Sequence, residues 1–138
     1  QGLPEWKIIT VNNLTFAEYM DLISRAFFTV TFGEGMDGYL NQPIYKKSLG
    51  LAVYNEDFFP GKSWMNLRNI YPDYETMIRN ICSDLQELYS DSDLYYKVIE
   101  EHRQMLGSIY VTNNYVDNLR RFYLGEYDFF PAIKGDRA

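Results

Sequence analysis

Apolar and polar positions alternate in blocks along this chain, and the blocks change period. "WKIITV" (Trp6–Val11) is short, β-branched and apolar, which predicts a strand. After the turn "NNL", the stretch "TFAEYMDLISRA" repeats apolar residues at helical spacing, with Tyr19, Ile23 and Ala26 in line and Leu22 beside them. It opens with Thr15 followed three residues later by Glu18, a capping box. "FFTVTF" (Phe27–Phe32) reads as a second strand, apolar on both faces, as in a parallel sheet covered by helices. "GEGMDG" is a loop, "YLNQPIYKKS" a short helix that tolerates Pro43 only near its first turn, and Leu49–Asn55 a third buried strand.

Strand, helix, strand, helix, strand with short connections is the pattern of right-handed crossovers in a doubly wound sheet. After Asn55 the pattern changes. "EDFFPGKSWMNLRNIYP" reads as a long loop with Pro60, Gly61 and Pro72. Asp73 is placed to cap a helix whose apolar face is Met77, Ile78, Ile81, Leu85 and Leu88, with Cys82 on the same side as a core residue. "SDSD" ends that helix. Leu94, Val98, Met105, Ile109 and Tyr110 predict another, "TNN" interrupts or recaps it, and Tyr115, Leu119 and Phe122 continue in a last helical piece before an irregular tail. The fold class expected is therefore α/β: a partial Rossmann-like parallel sheet of about three strands with a helical C-terminal half, residues 1–138 forming one domain.

The totals narrow the chemistry. With 138 residues the chain can bury a real core, and 46% hydrophobic residues is a globular composition. Thirteen Lys and Arg against nineteen Asp and Glu give a net charge of −6, which argues against nucleic acid as a partner and against nonspecific binding to anionic lipid. A single cysteine excludes a disulfide framework within the chain and fits a reducing, cytoplasmic compartment. The start shows no signal-peptide pattern, and no apolar run reaches the roughly 20 residues of a membrane span. His102, the one histidine, lies in the polar stretch "VIEEHRQML" and is expected on a solvated surface; a catalytic triad or a histidine-rich metal site is a poor hypothesis.

One loop carries chemistry. In open α/β sheets ligands bind at the carboxyl ends of the strands. "GEGMDG" sits there, with Gly33, Gly35 and Gly38 freeing the backbone, an acid to accept hydrogen bonds from hydroxyls, and the free N–H groups of a following helix to favour a diphosphate. A geometric turn with no ligand is the plain alternative. "NEDFFP" also ends a strand; it is read as a surface loop anchored by Phe58 and Phe59, with a place in the same cleft as the other reading. The tyrosines fall mainly on the helical segments, as Tyr89, Tyr95, Tyr110 and Tyr123 do, and are read as half-buried helix residues; Arg120 and Arg121 in "NLRRFY" are read as a solvated helix face.

From "KIITVNNLTFAEYMDLISRA" through "GEGMDG" and "SLGLAVYN" to "YETMIRNICSDLQELYSDSDLYYKVIEE", the order of elements resembles the second, donor-binding domain of retaining glycosyltransferases with two Rossmann-like domains (the GT-B type, similar to glycosyl transferases group 1, family 4). The resemblance runs from about Trp6 to Tyr123. It implies that Glu34 is the catalytic glutamate, which contacts the transferred sugar or its phosphate surroundings. It further implies that Gly33, Glu34, Gly35, Met36, Asp37 and Gly38 form the loop around the diphosphate, and that Gln42 stands where the family has a ribose-binding glutamate. Gln42 lacks that charge, and Asp37 adds a negative one. The implied partners are a nucleotide-sugar donor, a glycan acceptor, the preceding part of the same enzyme and, for the full enzyme of polysaccharide biosynthesis, a peripheral membrane contact. No metal or other cofactor is implied. The chain is thus expected to be the C-terminal part of a larger enzyme and inactive alone. A non-catalytic Rossmann-like interaction domain that has lost donor binding is the rival; a phosphoacceptor receiver lacks its acidic pair and lysine here. An unpaired "KIITV" edge further predicts a homodimer or swapped assembly.

Overall fold

The computed structural model describes residues 6–32, 36–110 and 112–126. Helix α1 (Phe16–Ser24) leads to β1 (Phe28–Val30), α2 (Gly38–Tyr45), β2 (Leu49–Val53), a single-turn 3-10 helix at Lys62–Asn66, β3 (Ile70–Tyr71), and the helices α3 (Tyr74–Ser90), α4 (Ser92–Ile109) and α5 (Thr112–Tyr123). The strands form one parallel sheet in the order β1-β2-β3, with Phe28 opposite Leu49 and Ala52 opposite Ile70. The α/β reading holds, with three strands in a parallel sheet.

One of the strands is not the one expected. Residues 6–11, read as the first strand, form neither helix nor strand, although Trp6 stacks on Phe28 with ring centroids 5.4 Å apart. The third strand instead comes from "NIYP", inside the stretch read as a loop. Two residues are too few to show a period, and proline follows at once. That stretch is also no loose loop. Phe59, Trp64 and Leu67 are buried in the core, with Phe59 and Trp64 in edge contact at 5.6 Å.

The central strand is buried along its whole length. Leu51 and Val53 face α3, where they join Met77, Ile81 and Leu85. Leu49 and Ala52 belong to the larger core with Leu40 and Ile44 of α2 and Tyr95, Val98, Ile99 and Leu106 of α4. Helix α2 approaches β2 so closely that a Cβ on Gly50 would stand 2.3 Å from the Leu40 carbonyl oxygen. Only glycine fits there.

The helix ends follow their sequences. Thr15 and Glu18 make the expected capping box, with the Glu18 carboxylate 2.8 Å from the Thr15 backbone nitrogen. Asp73 caps α3 by accepting from Thr76 N at 2.6 Å, and Asp91 both closes α3 and caps α4. Helix α2 holds Pro43 well past its first turn. Proline removes the N–H that would bond the carbonyl four residues earlier, that of Tyr39. The Thr29 hydroxyl from β1 donates to this carbonyl at 3.1 Å and replaces the missing bond. The helix then ends with Lys47 in the left-handed region (φ 62°), Lys47 N bonded to Ile44 O and Ser48 N to Pro43 O, a Schellman closure on a lysine.

Several expected faces turn out rotated. In α3, Ile78 and Cys82 are exposed, while Met77, Leu85 and Leu88 are buried. In α4 the buried line is Tyr95, Val98, Ile99, His102 and Leu106; of the expected face, Val98 lies on it, Leu94, Met105 and Ile109 pack half-buried against the core, and Tyr110 is exposed. His102 is therefore fully buried, contrary to the expected solvated position. Of the helical tyrosines, Tyr95 is buried and Tyr89, Tyr110 and Tyr123 are exposed. Among the described residues no helix is long and apolar enough to cross a membrane. The tail expected to be irregular lies mostly outside the described residues.

Candidate functional site at the carboxyl rim

Three parallel strands point their carboxyl ends to one rim. There the chain leaves β1 at Thr31 and Phe32, β2 at Tyr54–Asp57 and β3 at Pro72–Tyr74. An open cleft of about 320 Å³ lies at this rim, lined by Val53, Tyr54, Asn55, Glu56 and Tyr74.

Local structure fixes the lining. Asn55 accepts a bond from Asp57 N through its side-chain oxygen at 3.0 Å, and its carbonyl receives Phe58 N and Phe59 N. This is an Asx turn, which folds the chain back after the strand. Phe59 anchors the turn in the core, with Tyr54 packed on it at 5.3 Å; Phe58, expected to share that role, is exposed. Glu56 is thereby held at the lip of the turn, exposed to solvent. On the other side, Tyr74 is the first residue of α3, set by the Asp73 cap. The loop "NEDFFP" is thus both anchored and a wall of the cleft.

The lining supplies a definite set of groups. The Asn55 side-chain oxygen is engaged within its turn, which leaves the amide nitrogen as a donor. Glu56 offers a carboxylate, Tyr54 and Tyr74 offer phenols and ring faces, and Val53 an apolar floor. A carboxylate and an amide beside aromatic rings match vicinal hydroxyls on an apolar ring. Among the described residues no cation lines this cleft. Among the described residues no three of His, Cys, Asp and Glu converge as a metal centre requires.

The residues singled out in the sequence divide. Gly33, Glu34 and Gly35 lie outside the described residues, so the predicted catalytic glutamate has no described position. Met36 packs against the larger core. Asp37 is the N-cap of α2, its Oδ1 accepting from Tyr39 N at 2.8 Å and Leu40 N at 3.1 Å. Those are N–H groups at the helix start that were expected to receive a diphosphate. Gly38 is the first helical residue and lacks a positive φ, so its glycine is not there for a left-handed turn. Gln42 folds back over Gly38, its amide within 3.1 Å of where a Cβ on that glycine would lie. The structure brings Met36, Asp37, Gly38 and Gln42 together at the start of α2 and places none of them in the lining of the cleft. Tyr19 of α1 ties down the same corner, donating to the Gly38 carbonyl at 3.3 Å, and burial with the nearby Asp37 charge pushes its phenol up to about 12.

Tyr74 escaped the sequence reading. The signal was present in "NIYPDY": a short β-rich pair, a proline, then a capping Asp, which together place the next residue at a strand's carboxyl end.

No family model, curated protein or solved structure matches the chain.

Proposed function

We propose that the chain is the donor-binding part of a cytoplasmic glycosyltransferase, and that it holds the donor's sugar through hydroxyl groups at the carboxyl rim. The cleft of Tyr54, Asn55, Glu56 and Tyr74 at the ends of β2 and β3 supports this reading most directly. Glu56 would accept from two neighbouring hydroxyls, Asn55 would donate to a ring or hydroxyl oxygen, and a tyrosine ring would cover the apolar face of the sugar. On the resemblance to retaining glycosyltransferases, Glu34 would serve the anomeric carbon of the same sugar. In the transfer, the bond from that carbon to the diphosphate breaks and a bond to an acceptor hydroxyl oxygen forms. The acceptor's proton is released and the nucleoside diphosphate leaves.

A second reading has its own observation. Asp37 already fills the amide positions on α2 that a diphosphate would use. That favours a non-catalytic α/β interaction domain that no longer holds a donor. Calorimetric titration with UDP- and GDP-sugars, and with the free sugars, separates the two. Heat that falls at least about tenfold in affinity for E56Q and Y74A supports the sugar site, that being the loss of about 1.4 kcal/mol. Absence of heat with every nucleotide sugar and every free sugar overturns it in favour of the interaction domain.

A further inference from the structure

The two edges of the sheet are finished differently. In a parallel ladder alternate residues of a strand bond to each neighbour. On β3, Asn69 O and Tyr71 O receive Ala52 N and Tyr54 N from β2, and the outward Ile70 N is taken by the chain's own turn at Leu67 O, 3.1 Å away. The outward donor of that edge is thus taken by its own approach. On β1, Leu49 N bonds Phe27 O and Thr31 N bonds Leu51 O, so residues 27, 29 and 31 serve β2. Phe28 and Val30 therefore turn their N–H and C=O groups outward, and among the described residues nothing bonds them. Phe27 and Phe32, at the two ends of this edge, are exposed apolar residues.

The same chain carries a strand-like segment without a sheet. "KIITV" (Lys7–Val11) is rich in β-branched residues, yet among the described residues its backbone makes no hydrogen bond. Ile8 is 88% exposed and Ile9 48%. Its root is fixed, since Trp6 stacks on Phe28 and meets Tyr89 edge-on at 5.1 Å. The segment thus starts beside the Phe28 ring of the open strand and continues with Ile8 and Ile9 exposed.

We infer that this edge is a self-association surface: Lys7–Val11 of one copy adds as a fourth strand to β1 of a second copy, and the second copy returns the same contact. An open edge needs backbone donors, acceptors and apolar side chains in alternation, and "KIITV" offers all three. The chain carries both halves of the contact, so a two-fold axis satisfies them at once and leaves no open end. The inference does not depend on the sugar-binding reading.

Sedimentation over a wide concentration range tests it. The wild-type chain is expected to dimerise. I9K, on an arm outside the core, should raise the dimer dissociation constant at least about tenfold, since each of the two contacts loses an apolar anchor. V30P removes an outward N–H that β2 does not use and should do the same; should circular dichroism show V30P unfolded, V30K replaces it. Mixing an arm variant with an edge variant should restore one contact and a weaker dimer. A wild-type chain that stays monomeric throughout, a dimer indifferent to I9K, or one indifferent to both edge variants would each overturn the assignment.

Discussion

The amino rim and the carboxyl rim of the same sheet are built to opposite ends. At the amino rim the Tyr95 hydroxyl reaches from α4 to Phe27 O at 2.6 Å and Lys47 O at 3.1 Å, while Ser48 Oγ donates to Phe27 O at 3.2 Å. Behind them, Asn69 donates to Gly50 O at 2.6 Å and lies 2.8 Å from His102 Nδ1, whose other ring nitrogen meets Asn41 Oδ1 at 3.3 Å. Trp64 packs edge-on to the His102 ring. Polar groups there join α2 and α4 to the sheet. At the carboxyl rim the polar side chains Asn55, Glu56 and Tyr74 face an open cleft. A rim sealed by internal hydrogen bonds contributes stability; a rim whose polar groups face solvent can spend them on a ligand.

Substitutions should separate the two roles. The largest effect is expected from G50A, because the obstacle is the Leu40 backbone rather than a movable side chain. A loss on the order of 3 kcal/mol, or failure to fold, should appear in urea denaturation. Next comes acid. Burial lowers the His102 pKa from 6.5 to about 4, so the folded state resists its protonation. The stability from the neutral ring is complete above about pH 6.5 and disappears as pH falls toward 4. Stability should fall by about 2 kcal/mol between pH 7.5 and 5, and H102Q should show that much less of a drop. Y95F should cost about 1 kcal/mol by removing the hydroxyl shared between Phe27 O and Lys47 O.

Smaller effects sharpen the contrast. D37A should lose about 1 kcal/mol with the cap of α2, whereas D37N keeps a cap and removes the charge. On the sugar-donor reading D37N also tightens binding of a nucleotide diphosphate sugar, which calorimetry would detect. K47G should gain roughly 0.5 to 1 kcal/mol, since lysine occupies a left-handed position. E56Q and Y74A should change stability by less than about 0.5 kcal/mol, as exposed rim residues do.

The elements legible in the sequence were those with long periods or strong caps. Thr15 with Glu18, Asp73 and the buried run Leu49–Val53 all stand where their chemistry put them. What failed were decisions that tertiary packing makes. "KIITV" has strand propensity, but propensity supplies no neighbour. Ile70–Tyr71 is a strand because β2 needs an edge partner, not because two residues carry a signal. His102 was read from its polar neighbours Glu100, Glu101 and Arg103, yet it falls four residues after Val98 and four before Leu106, on the line that faces the core. A strict helical count would have found it. At the candidate site, the turn after β2 was visible in "NEDFFP". The part played by Asp37 depended on which amides its short side chain could reach.

The bond from Thr29 to the Tyr39 carbonyl carries a lesson about history. Pro43 is tolerated within α2 because a hydroxyl on a neighbouring strand attends to the acceptor it strands. A lineage that gained the proline first would have crossed a valley; one that gained the threonine first would have found the proline nearly silent. The two positions are therefore epistatic, and a double-mutant cycle of T29V with P43A should show T29V harmful beside proline and almost harmless beside alanine.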